Sequence, residues 1–138
     1  AKYHPGGALG KKLYLRVIDL VEKNEIPQVN INTSVKDTLL EISKKRLGAT
    51  AVLDNQQLIG IITDGDIRRM LNKSDDFLSL TSKDIMSSNP KTIYSTAMAI
   101  EAMAVMENNN ISQLIVLDES NNYKGIIHVH DIIKEGIF

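Results

Sequence analysis

Polar and apolar positions along the chain spell the same series of elements twice. Gln28-Val29-Asn30-Ile31 alternates like a half-buried strand. Asn32-Thr33-Ser34 offers N-caps, and Val35, Leu39 and Ile42 then share one helical face. Lys44, Lys45 and Arg46 load the last turn of that helix, where cations suit the dipole, and Gly48 is the expected stop. Thr50-Ala51-Val52-Leu53 reads as a buried strand, Asp54-Asn55 as a turn, and Leu58 to Thr63 as the hairpin partner. Ile67, Met70 and Leu71 begin a second helix. The order β-α-β-β-α then returns. Ala99, Met103 and Met106 stand 64 positions after Val35, Leu39 and Ile42, and Leu114-Ile115-Val116-Leu117-Asp118 lies in register with residues 50–54. The second hairpin loop is one residue longer, so Gly125-Ile126-Ile127-His128-Val129-His130-Asp131-Ile132 follows Gly60-Ile61-Ile62-Thr63-Asp64-Gly65-Asp66-Ile67 at an offset of 65. Several matches at one spacing mark an internal repeat.

The expected fold class is therefore α+β: two β-α-β-β-α units packed with pseudo-two-fold symmetry, since neither could bury both faces of its sheet alone. Repeat one spans 27–74, a connector 75–89, and repeat two 90–138. Phe77, Leu80, Ile85 and Met86 predict that the connector packs on the protein. Residues 1–26 read as a linker and the tail of a preceding domain, with a short helix over 11–21 carrying Leu13, Val17 and Leu20. The chain opens on Ala1 rather than methionine, so a fragment of a longer protein is expected.

Composition narrows the function. The 138 residues are 43% hydrophobic, with a net charge of −1, so no general electrostatic pull toward nucleic acid or anionic membrane is expected. No apolar run approaches a membrane span. With no cysteine, thiol chemistry, disulfides and Cys-based zinc sites are excluded, and a cytoplasmic location fits.

Candidate chemistry gathers where each repeat's last strand enters a helix, because such a junction collects free backbone N–H groups that can hold an anion. Thr63 and Asp66 form a T-x-x-D pattern with two compatible readings. One is a capping box. In the other, the Thr63 hydroxyl and the N–H groups of Gly65 and Asp66 hold phosphate, while the Asp66 carboxylate takes a ribose diol. Of Arg68 and Arg69, one could pair with Asp64 or Asp66 and one could face an acidic ligand. His128 and His130 would share a face on a continuing strand, a conceivable metal pair with Asp131, but the surrounding ligands are too few. They read instead as polar groups lining the cleft between repeats or capping the helix. No metal, required cofactor or self-contained catalytic centre is expected.

The doubled unit with G-h-h-T-x-x-D resembles a tandem pair of CBS domains, named after cystathionine β-synthase. The resemblance implies that Thr63 and Asp66 contact phosphate and ribose. It implies that backbone at Gly48 to Ala51, including Thr50 and Ala51, and at Ser112 to Leu114, including Gln113, lines the site. His128 replaces the hydroxyl in the second copy, which sets that site apart. A narrower resemblance covers nearly the whole chain. His4-Pro5-Gly6-Gly7-Ala8-Leu9-Gly10-Lys11, Thr63-Asp64-Gly65-Asp66-Ile67-Arg68-Arg69, Asn89-Pro90-Lys91-Thr92 and His128-Val129-His130-Asp131 are similar to the C-terminal part of D-arabinose 5-phosphate isomerases, which join a sugar isomerase domain to a CBS pair. The resemblance implies a regulatory module, not an enzyme by itself. His4 would serve isomerisation only beside the catalytic domain. The implied effector is an adenine nucleotide such as AMP or ATP, or CMP-Kdo, whose carboxylate and hydroxyls would suit Arg68, His128 and His130. The implied assembly is a homodimer of pairs within a tetrameric parent. A structural dimerisation module without a ligand is the alternative.

Overall fold

The computed structural model describes residue 10 and residues 13–136. In repeat one, β1 (Gln28–Asn30) runs parallel to β2 (Ala49–Asp54), which pairs antiparallel with β3 (Gln57–Thr63). Helix α2 (Val35–Lys45) crosses from β1 to β2, and α3 (Asp64–Lys73) leaves β3. Repeat two is the same figure: β5 (Thr92–Tyr94), α5 (Ala99–Asn109), β6 (Gln113–Leu117), β7 (Tyr123–His128) and α6 (Val129–Ile133). Even the irregularities repeat. The β2–β3 register shifts between Val52 and Leu53, and the β6–β7 register between Val116 and Leu117, 64 positions on.

Local chemistry explains the elements. The Ser34 hydroxyl caps α2 by accepting the Asp37 N–H at 3.1 Å. Gly48 has φ +71°, but Arg46 already adopts the left-handed conformation (φ +65°) and ends the helix, two residues before the expected stop. The early stop turns Leu47 inward, where it is buried between the repeats. Asn55 and Gln56 both have positive φ, as a two-residue hairpin turn between right-twisted strands requires.

The sheets meet face to face. Leu47, Ala49 and Ala51 of repeat one pack on Ile115 and Ile126 of repeat two, the shared core that the repeat pattern predicts. Tyr123 adds a polar tie, its hydroxyl donating to the Pro27 carbonyl at 2.5 Å, and its burial pushes the phenol pKa up.

The segments outside the repeats cross over. Helix α1 (Val17–Val21) packs on repeat two: Val17, Leu20 and Val21 join Ala102, Met106, Leu114 and Ile127 in one cluster. The helix expected over 11–21 is interrupted ahead of α1, because Leu15 and Arg16 are spent on repeat two; residues 11 and 12 lie outside the described residues. The Leu15 carbonyl accepts the Ala99 N–H at 2.8 Å, and Arg16 bridges Met98. The connector instead packs on repeat one. Its short helix α4 (Ser82–Ile85) donates the Ser82 N–H to the Thr33 carbonyl at 2.8 Å, and β4 (Ser87–Ser88) pairs with β3 at Ile61 and Gly60. Each repeat is completed by the segment that precedes the other.

Candidate functional site

Strand β3 ends at Thr63, still extended at φ −120°, ψ 177°, and Asp64 opens α3. The Asp66 carboxylate faces inward, with the residue only 4% exposed. Its Oδ2 accepts the Thr63 N–H at 2.9 Å and the Thr63 hydroxyl at 3.3 Å. Its Oδ1 accepts from Arg69 Nη2 at 2.5 Å and from the Ser87 hydroxyl at 2.6 Å. Both oxygens are thus taken by protein donors, and the capping arrangement is present. The two arginines separate: Arg69 pairs with Asp66, while Arg68 lines a cleft.

That cleft, of about 400 Å³, lies between the repeats. Repeat one contributes Ile61, Thr63, Asp64, Gly65 and Arg68; facing them from repeat two are Asn110, Ile111, Ser112 and Gln113, with Lys91 just ahead of β5. The turn after α5 reaches the cleft because Asn110 is left-handed (φ +53°) and ends the helix there, as Arg46 ends α2. Two cations, Arg68 and Lys91, meet one carboxylate, Asp64, beside the backbone N–H groups of the α3 start. The arrangement can hold an anionic group at one end and offer amides and hydroxyls at the other. Thr50 and Ala51 are fully buried in β2, outside this lining. Lys91, Asn110 and Ile111 are absent from the sequence-derived candidates. The repeat offset could have found Asn110, since it mirrors Arg46.

The second junction is built differently. Strand β7 stops at His128 and α6 begins, so the two imidazoles do not share a strand face. They stack, centroids 4.9 Å apart, and His128 Nδ1 accepts the His130 N–H at 3.0 Å. Asp131 Oδ2 accepts the His128 N–H at 2.8 Å and Asn24 Nδ2 at 2.9 Å. Asn24 thus ties the α1 segment to this junction as Ser87 ties the connector to the first. Among the described residues no group of three His, Cys, Asp or Glu side chains is placed to hold a metal. His4 lies outside the described residues.

Burial, then the neighbouring His130, lowers the His128 pKa below its ordinary 6.5; Asp131 partly opposes them. As pH falls through 6.5, the unfolded chain takes up this proton before the folded one does. The unfolded state then binds more protons, so stability drops with pH between 6.5 and the lowered value and is level above that window. The thermal midpoint is expected to decline from about pH 7.5 to about pH 5.5, and less steeply in His128→Gln. An equal slope in that variant would assign the decline to other groups.

Residues 17–73 and 83–137 each match the CBS domain family model. The arabinose 5-phosphate isomerase KdsD of Pseudomonas aeruginosa is 40% identical over 136 residues, covering 97% of this chain and 42% of that protein. KdsD of Francisella tularensis is 43% identical over 132 residues, covering 95% of this chain and 40% of that protein. The chain therefore spans about two fifths of the length of these curated relatives. Among solved structures, the CBS domain protein PAE2072 from Pyrobaculum aerophilum, complexed with AMP, superposes with a TM-score of 0.74 at 19% identity, over 85% of this chain and 89% of that one. CBSX2 in complex with AMP gives 0.72 at 21% identity, over 89% and 96%. At such identities the likeness speaks for the fold. Repeat, fold and family match agree, and the chain belongs to the CBS-domain family, as two such domains in tandem.

Proposed function

We propose that this chain is the regulatory ligand-binding pair of a D-arabinose 5-phosphate isomerase, sensing a nucleotide or nucleotide-sugar, with no catalytic chemistry of its own. The observation that carries the reading is the cleft in which Thr63, Gly65 and Arg68 of one repeat face Lys91, Ser112 and Gln113 around the other. A phosphate fits the α3 start, and the opposite wall offers the polar groups that a base or sugar needs. The AMP complexes of two structural neighbours and the isomerase relatives support the ligand class and the context.

Two effectors fit. One is an adenine nucleotide. The other is CMP-Kdo, the activated sugar that the parent's product leads to, whose carboxylate would meet Arg68 or Lys91. Ligand in the cleft would shift the relative placement of catalytic domains, with coupling of about 1–3 kcal/mol. Leu40, Leu71 and Leu78, each more than half exposed on helices or the connector, support pairing of modules into a homodimer and a tetrameric parent. The same residues favour the second reading, a purely structural dimerisation module. No helix among the described residues is long and apolar enough to cross a membrane, and we place the protein in the cytoplasm.

A thermal-shift series with AMP, ADP, ATP, CMP and CMP-Kdo tests the reading. A ligand at a hundred times its Kd should add about 2.7 kcal/mol of stability. Arg68→Ala should weaken any hit roughly 10- to 100-fold, the loss of a charge-assisted hydrogen bond. Arg68 suits this test because Asp66 carries structural bonds as well. No shift with any of the five would favour the structural module.

A further inference from the structure

One polar side chain of the cleft can face it in only one sense. Gln113 opens β6, where its backbone pairs with His128. Its side chain lines the cleft, and its Nε2 donates to the Leu47 carbonyl of repeat one at 3.1 Å. A carboxamide's two ends are told apart by what they meet, and a backbone carbonyl can only accept. The flipped orientation would set oxygen against oxygen. Leu47 is itself held: its side chain is buried, and positive-φ residues, Arg46 and Gly48, flank it. The amide comes this near because position 48 carries no side chain; a Cβ there would lie 3.0 Å from Gln113 Nε2.

The carbonyl end, Oε1, is therefore turned away from Leu47. It takes no hydrogen bond within the described residues, and no buried side-chain oxygen or nitrogen among them lacks a partner, so it is open to solvent on a side chain that lines the cleft. The counterpart 64 positions earlier is Ala49, which offers no such acceptor to the second junction.

We propose that Gln113 is a specificity-determining residue of this cleft, its Oε1 accepting from an amino group on the ligand. The cleft then selects amino-bearing nucleobases, adenine or cytosine, over their keto counterparts, hypoxanthine or uracil. An exocyclic amino group donates where the keto oxygen accepts, and two facing acceptors leave both unpaired at a desolvation cost. This inference rests on the reading of the cleft as a nucleotide site.

Calorimetric titration of the chain with AMP, IMP, CMP and UMP tests it. AMP should bind at least about tenfold tighter than IMP, or CMP than UMP. Gln113→Met keeps the length of the side chain and removes the acceptor. It should narrow the preference to within about twofold, with folding checked by its melting curve. Equal affinities for both members of each pair in the unaltered chain overturn the proposal without recourse to a variant. So does a preference that survives in folded Gln113→Met. If none of the four binds, this inference falls, and the thermal-shift series with ADP, ATP and CMP-Kdo decides the nucleotide reading separately; binding without discrimination removes only the inference.

Discussion

Replacing Asp66 with alanine is expected to lower the thermal midpoint of the ligand-free chain by roughly 10 °C, equivalent to about 2–3 kcal/mol. The carboxylate is buried and accepts from the Thr63 N–H, the Thr63 hydroxyl, Arg69 and Ser87. Alanine leaves the Thr63 N–H and the Ser87 hydroxyl without their acceptor in a part-buried setting, at about 1–3 kcal/mol for an unsatisfied group. The ion pair adds less, because the Arg69 side chain is 60% exposed and can retreat to water. Asp66→Asn should be milder, since a carboxamide oxygen can still accept from Thr63 while its NH2 confronts Arg69 or Ser87. Thermal melts of both variants decide the matter: a fall of under about 2 °C in the alanine variant would mean that these bonds contribute little net stability.

Gly60→Ala should destabilise by about 1–3 kcal/mol through crowding alone. A Cβ at this position would lie 2.5 Å from Met86 Sδ and 2.9 Å from the Ser87 carbonyl oxygen. The methionine can swing aside. The carbonyl belongs to β4, which cannot move without loosening its pairing with Gly60 and Ile61. Ser87 also donates to Asp66, so the disturbance runs on into the first junction. The two substitutions should therefore combine less than additively in urea unfolding. Strict additivity would show that β4 and the junction are energetically separate. Gly65→Ala makes the contrast: the nearest atom to its added Cβ is 3.4 Å away, so the fold should accommodate it.

Elements and pairing were legible because hydrophobic spacing repeats at 64 and 65 positions, and two copies corroborate each other's boundaries. The shared core followed from the same pattern, and Ala49, Ala51, Ile115 and Ile126 form it. What could not be read depends on partners far away in the chain. Leu15 and Arg16 look helical until their bonds to Ala99 and Met98 are known. Arg68 and Arg69 are neighbours of one type, and only the helix phase sends one to the cleft and the other to Asp66. Thr50 read as part of a buried strand and entered the site only through the resemblance; it is fully buried in β2. Lys91 carries no local sign at all, since its place at the cleft depends on how the repeats meet.

The crossing of α1 onto repeat two also bears on how the chain leaves the ribosome. Asn24 and Asp131, which hydrogen-bond in the finished fold, are 107 residues apart. At the usual pace of synthesis, about 5–20 residues per second, α1 waits roughly 5–20 s for its sheet to be made. Repeat one has its closing segment, the connector, directly behind it and can complete itself during translation. Repeat two cannot close until its last strand, β7, and α1 find each other. During that wait Val17, Leu20 and Val21 are an exposed apolar stripe, the point at which a nascent chain is open to chaperones or to a neighbouring copy's unfinished second repeat.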